Sequence, residues 1–171
     1  MKIKSFAQIF FVKTKRMYYN FKVTRKAEKV GNNLKANGKT IVTKKTVLGD
    51  NVNFNGCYMR GTGRVEIGNN FHSGPDILMV TRFHNFDNGT AIPYDETYIE
   101  KEIIIGDNVW LGARVVILGG VKIDEGAIIQ AGSVVVSDIP KYAVAGGHPA
   151  KVFKYRDIEH YEKLKTDNKF H

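Results

Sequence analysis

Residues 105–140 read IGDNVWLGARVVILGGVKIDEGAIIQAGSVVVSDIP, and every sixth letter from the first is aliphatic: Ile105, Leu111, Ile117, Ile123, Ile129, Val135. A period of six fits neither one face of a helix nor a simple alternating strand. It fits a short strand, a corner and the same again, with one aliphatic side chain per unit turned inward. Gly, Asn and Asp tolerate positive φ and suit the corners. One such unit cannot bury its aliphatic residue alone, whereas stacked coils make a continuous apolar column. A β-sandwich would space its strands at roughly 8–12 residues, and the spacing here stays at six.

The same register runs upstream. Val30, Ala36, Val42, Leu48 and Phe54 form one set, and Ile67, Ser73 and Met79 another, after a one-residue slip near Arg60–Arg64. Corner tetrads recur as GDNV at 49–52, GNNF at 68–71 and GDNV at 106–109. The fold class is therefore an all-β solenoid spanning 30–154, with residues 1–29 and 155–171 as flanking segments. A polar loop at about 81–102 interrupts it, and a loop of that length in a compact repeat is more often functional than decorative.

The chain has 171 residues, 43% hydrophobic and 25% charged, which suits one globular domain and excludes a disordered chain. No run of about 18 apolar residues is present to span a membrane. The single cysteine, Cys57, rules out an internal disulfide and a cysteine-only zinc cage. A reducing, cytoplasmic setting is the simplest expectation. The net charge of +9 points to anionic partners. Residues 1–29 mix Ile3, Phe6, Ile9, Phe10 and Phe11 with Lys and Arg, then carry Tyr18, Tyr19 and Phe21. A basic amphipathic helix is expected there, with a break near Asn20. It has two readings, a cap on the first open coil or a peripheral contact with an anionic membrane. Residues 156–166 read as a short charged helix.

The loop, TRFHNFDNGTAIPYDE, followed by IGDNVWLGA and AGGHPAKV in that order, resembles the hexapeptide-repeat acyltransferases. It is most similar to the branch of maltose, galactoside and polysaccharide O-acetyltransferases and xenobiotic acetyltransferases. The likeness covers about 47–154. It implies a left-handed parallel β-helix, a homotrimer with active sites between subunits, and acetyl-CoA as donor substrate with no metal. It places the catalytic base at His84. Transfer of an acyl group from a thioester to a hydroxyl needs such a base, and a neutral imidazole suits the task at pH 7.

Asn55, Asp76, Asn85 and Asp87 are the expected acceptor-binding groups. Ala113 and Ala131 stand 18 residues, or three hexads, apart and should stack at one corner, and the resemblance implies that the donor lies there, along Trp110, Gly112, Ala113, Ala131 and Gly132. Lys151 and Lys154 are expected to meet its phosphates. His72 reads as a wall-facing histidine, and Cys57 has no adjacent base to make it a nucleophile.

The resemblance implies an O-acetyltransferase of a sugar hydroxyl in a surface polysaccharide or its precursor. Acetylation of a drug hydroxyl and a non-catalytic scaffold are the alternatives. No groove-reading motif for nucleic acid is present. One departure stands out: Arg60-Gly61-Thr62-Gly63 replaces the acidic residues that related sugar acetyltransferases carry.

Overall fold

The computed structural model describes residues 6–171, with side chains from Phe11 onward. Ile3 and the side chains of Phe6, Ile9 and Phe10 lie outside the described residues. Helix α1 (Phe6–Lys26) precedes a left-handed parallel β-solenoid. The first coil is β1 (Lys29–Val30), β2 (Lys35–Ala36) and β3 (Thr40–Ile41). The second is β4 (Thr46–Leu48), β5 (Asn53–Phe54) and β6 (Cys57–Arg60). The third is β7 (Val65–Ile67), β8 (His72–Ser73) and β9 (Ile77–Val80). An antiparallel arm, β10 (Arg82–His84) and β11 (Tyr98–Glu100), then leaves the solenoid.

Coil four is β12 (Ile103–Ile105), β13 (Trp110–Leu111) and β14 (Val116–Leu118), and coil five β15 (Lys122–Ile123), β16 (Ile128–Ile129) and β17 (Val134–Val135). A sixth coil begins with Ile139 and β18 (Ala143–Gly147), on which β19 (Ala150–Tyr155) folds back antiparallel. Helix α2 (Ile158–Thr166), capped by Asp157, ends the chain. Strands stack into three walls: the first through β1-β4-β7-β12-β15, the second through β2-β5-β8-β13-β16-β18-β19, the third through β3-β6-β9-β14-β17.

The hexad residues fill the prism. Ala36, Val42, Leu48, Phe54, Ile67, Ser73 and Met79 are buried, as are Ile105, Leu111, Ile117, Ile123, Ile129 and Val135; Val30 packs against them at the open end. One corner is built by Asn33, Asn51, Asn70 and Asn108, all at φ between 54° and 59°. Asparagine accepts this left-handed conformation better than other non-glycine residues. Their side chains bond in sequence, Asn33 Nδ2 to Asn51 Oδ1 at 2.8 Å, Asn51 to Asn70 at 3.1 Å, Asn70 to Asn108 at 2.9 Å. The corner is thus satisfied internally, coil upon coil.

The slip has a structural form. Lys29 stacks under Val47, the regular 18-residue step. Thr40 stacks under Cys57 and Cys57 under Ile77, steps of 17 and 20. One residue is saved at the Gly56 corner and two are added around Gly61–Gly63, so Met59 points inward and Arg60 outward.

Helix α1 runs unbroken past Asn20, contrary to the expectation from sequence. Asn20 does not interrupt the helix because its amide serves the neighbouring coil. Its Nδ2 donates to the Leu34 carbonyl at 2.9 Å and its Oδ1 accepts from the Ala36 N–H at 2.8 Å. Those backbone groups belong to the edge of the first coil, which would otherwise be unpaired. Val23 is buried on the same side. Among the described residues, no helix is long and apolar enough to cross a membrane.

Candidate active site

The arm is a consequence of pairing. Arg82, Phe83 and His84 stand opposite Glu100, Ile99 and Tyr98, and the connecting loop is braced by Asp95. Hydrogen bonds from the Thr97 hydroxyl and the Thr90 and Thr97 N–H groups hold that carboxyl well below its usual range. Asn85 closes the loop as well, donating to Thr97 Oγ1 at 3.1 Å and accepting from Asn88 N–H. Its side chain is therefore committed to the arm's own structure. Asp87 is exposed on the same loop.

His84 sits half-buried between two phenol rings. Tyr94 stacks on it with centroids 3.6 Å apart, and Tyr98 lies at 4.6 Å. The Arg82 guanidinium covers the Tyr98 ring at 3.5 Å. His84 Nδ1 is buried without a hydrogen-bond partner among the described residues. A buried polar atom left bare costs about 1–3 kcal/mol, so a ligand or a second chain that supplied a partner would be favoured there. Composition gave no signal for Tyr94 and Tyr98. Tyr98 meets His84 only because the arm pairs in this register.

A second group gathers at a different corner, between the second and third walls. Asn55 accepts from Asn37 Nδ2 at 3.1 Å and donates to the Ser73 carbonyl at 2.7 Å. Asp76, at φ 60°, faces Arg114 at 3.9 Å. Above them, beside Arg114, the corner carries only small residues. A Cβ on Gly74 would lie 2.6 Å from the Ala113 nitrogen, and one on Gly112 would lie 2.4 Å from the Ala131 nitrogen. Backbone therefore stacks directly on backbone. Gly132, at φ 74°, has open space around it, and its N–H donates to the Ala113 carbonyl at 2.8 Å. Such a strip lets a thin ligand lie against main chain, which fits a pantetheine arm. Trp110 projects outward beside it, 51% exposed, and Lys151 and Lys154 are exposed on β19.

The structure thus brings Asn55, Asp76, Gly112, Ala113, Ala131 and Gly132 to one edge. His84, Asn85 and Asp87 stand on the arm at another edge, across the third wall. His72 lies on the outer face of the second wall, its ring 5.7 Å from His171. Burial first, then His171 and Lys35, push its pKa down. Among the described residues, no three His, Cys, Asp or Glu side chains cluster in a way that could hold a metal ion.

Cys57 is buried, and burial pushes its thiol up to about 12. Thiolate is the reactive form, so the folded protein should resist a thiol-reactive dye and react at once in denaturant. Cys57→Ala should retain transfer activity. Fast labelling of folded protein together with loss of activity would contradict this.

Residues 102–137 match the bacterial transferase hexapeptide family (six repeats). Over 109 residues the chain is 32% identical to the galactoside O-acetyltransferase of Lactococcus lactis subsp. lactis, covering 60% of this chain and 52% of that one. Over 100 residues it is 31% identical to a chloramphenicol acetyltransferase of Klebsiella aerogenes, covering 49% and 47%. The chain spans about half the length of the curated relatives it matches. Among solved structures, a galactoside acetyltransferase in complex with coenzyme A superposes with a TM-score of 0.70 at 26% identity, covering 87% of this chain and 84% of that one.

Proposed function

We propose that this chain, whose fold and 102–137 repeat are those of the hexapeptide-repeat acyltransferases, transfers acetyl from acetyl-CoA to a sugar hydroxyl. The observation that carries this reading is the placement of His84, held between two tyrosine rings on an arm that stands off the solenoid. The imidazole takes the proton of the acceptor hydroxyl. The hydroxyl oxygen bonds to the thioester carbonyl carbon, the carbon–sulfur bond breaks, and the proton passes to the departing sulfur. The products are an O-acetyl ester and free coenzyme A thiol, with the imidazole neutral again. Backbone N–H groups steady the charge that develops on the carbonyl oxygen.

One chain does not complete such a site. His84 and the Ala113–Ala131 corner lie on different edges of the prism, separated by the third wall. In a homotrimer the arm of one subunit would reach the Ala113–Ala131 edge of the next, with Asn55, Asp76 and Asp87 near the acceptor. The buried, unpartnered His84 Nδ1 supports that arrangement. On this proposal the sugar hydroxyl belongs to a surface polysaccharide or its precursor, a reading that rests on resemblance; a cytoplasmic setting rests on the single cysteine, and a peripheral contact with a membrane surface on the basic charge of α1.

The test is release of free coenzyme A thiol from acetyl-CoA with a panel of sugar and drug hydroxyl acceptors. Acceptor-dependent release with mass-confirmed O-acetylation is expected, and its absence across the panel rejects the reading. A second test addresses the donor. Lys151→Ala with Lys154→Ala should raise the KM for acetyl-CoA about tenfold, the equivalent of ~1.4 kcal/mol, and leave kcat within about twofold, because phosphate contacts hold ground and transition states alike. An unaltered KM would remove both lysines from the donor site.

A further inference from the structure

The outer face of the third wall, where α1 crosses it, forms a trough of three adjoining hollows, the largest about 660 Å³. Ile41 and Tyr58 floor it, and Tyr58 is 46% exposed. Lys26, Lys44, Lys45 and Arg60 surround the largest hollow, and no carboxylate lines it. Lys22 edges the hollow beside it, and Lys15 and Lys39 continue the line to the far end, where Asp76 is the one acid. Lys45 is paired at 3.5 Å with Glu100 outside the hollow. Among the described residues Lys15, Lys22, Lys26, Lys39, Lys44 and Arg60 form no ion pair, and a concave cluster of one sign concentrates counter-ions far more than scattered charge.

The trough ends at the foot of the arm. The Thr81 N–H donates to the Arg60 carbonyl at 2.9 Å, and Thr62 Oγ1 donates to Glu100 on the returning strand. Gly61 is pressed against Thr81 and Arg82 so closely that a Cβ there would meet Thr81 Oγ1 at 2.5 Å. His84 is two residues beyond Arg82, about 7 Å along an extended strand. Arg60, at the trough's end, therefore abuts the strand that carries Arg82 and His84.

We propose that the acceptor is an anionic saccharide, a sugar bearing phosphate or carboxylate groups, held in this trough with its acceptor hydroxyl directed along Arg60 and Arg82 toward His84. The inference rests on the acetyltransferase reading above and narrows its substrate class. Arg60 supplies a planar fork suited to either anion. Tyr58 offers an apolar face for a sugar ring. Arg60 at the trough's end fits this chemistry.

The experiment compares N-acetylglucosamine, its 1-phosphate, UDP-N-acetylglucosamine and an oligosaccharide of glucuronate, using the full chain and the double variant Lys44→Gln, Arg60→Gln. Thiol release and calorimetric binding are both followed, and circular dichroism checks that the variant folds. At low salt the parent should favour an anionic member over N-acetylglucosamine at least tenfold in kcat/KM and in Kd. Which member wins separates phosphate from carboxylate recognition. The double variant should lose most of that preference. Equal use of the neutral sugar by the parent, or a preference that survives in the variant, overturns the inference while leaving the acetyltransferase standing. If no acceptor is acetylated, that underlying reading fails, and the calorimetric comparison alone decides the trough. Binding to phosphatidylglycerol vesicles that the variant loses, with no saccharide bound, assigns the trough to a lipid surface and overturns the proposal.

Discussion

Replacing His84 by alanine is expected to lower kcat for acceptor acetylation by about 10²–10⁴-fold, the usual worth of a positioned general base. On the proposed reading the donor KM should stay within a few fold, since the donor would be held by the Ala113–Ala131 edge, Lys151 and Lys154 rather than by the imidazole. The substitution leaves the hydrophobic core untouched. His84 is on the arm, which keeps the Asp95 hydrogen bonds and the β10–β11 pairing when the ring stacking is lost. Loss of activity with an unchanged melting temperature would therefore report chemistry. A variant that turned over at near-parent rate would mean that another group removes the hydroxyl proton, and the mechanism would fall. Mixing inactive His84→Ala chains with chains inactivated at the donor edge adds a second reading. If one subunit's arm serves its neighbour's donor strip, mixed oligomers should regain part of the activity.

The sequence exposed the solenoid because its signal repeats. Thirteen of the fourteen hexad positions quoted above are buried, and Val30, at the open end, is packed against the core. A register so redundant survives the slip at Arg60–Arg64. The stacking of Ala113 on Ala131 was legible for the same reason: they are one regular coil apart. What escaped was whatever depends on irregular steps or on pairing between distant segments. The arm's register, which sets Tyr98 beside His84, lies in a loop with no period. The cations at 26, 44, 45 and 60 come from a helix and two coils joined by a step of 17, so no sequence window contains them together. Asn20 looked like a helix breaker because its use, bonding the edge of the next element, is tertiary. Asn85 is expected at the acceptor, but that its amide also closes the loop depends on a pairing no period announces.

Phe71→Ala should be the most destabilising core substitution of the early coils. Phe71 is 1% exposed and Phe54 fully enclosed, their ring centroids 5.5 Å apart and tilted by 57°. They sit in the second and third coils, the ones between which the stacking step departs from 18 residues. Truncating a buried phenylalanine costs about 3–5 kcal/mol, a large part of the 5–15 kcal/mol that typically holds a domain together. Coils in a solenoid contact only their neighbours, so the loss should spread unevenly. Amide exchange should accelerate first in coils one to three and in the arm rooted on the third, while coils four and five keep more of their protection. Transfer activity should then fail at a lower temperature than the far end of the prism melts. Phe54→Ala combined with Phe71→Ala should cost less than the two singly summed, by about 0.5–1.5 kcal/mol for the lost ring pair. A cost below about 1 kcal/mol, or protection lost equally along the chain, would show that these rings do not anchor the irregular coils.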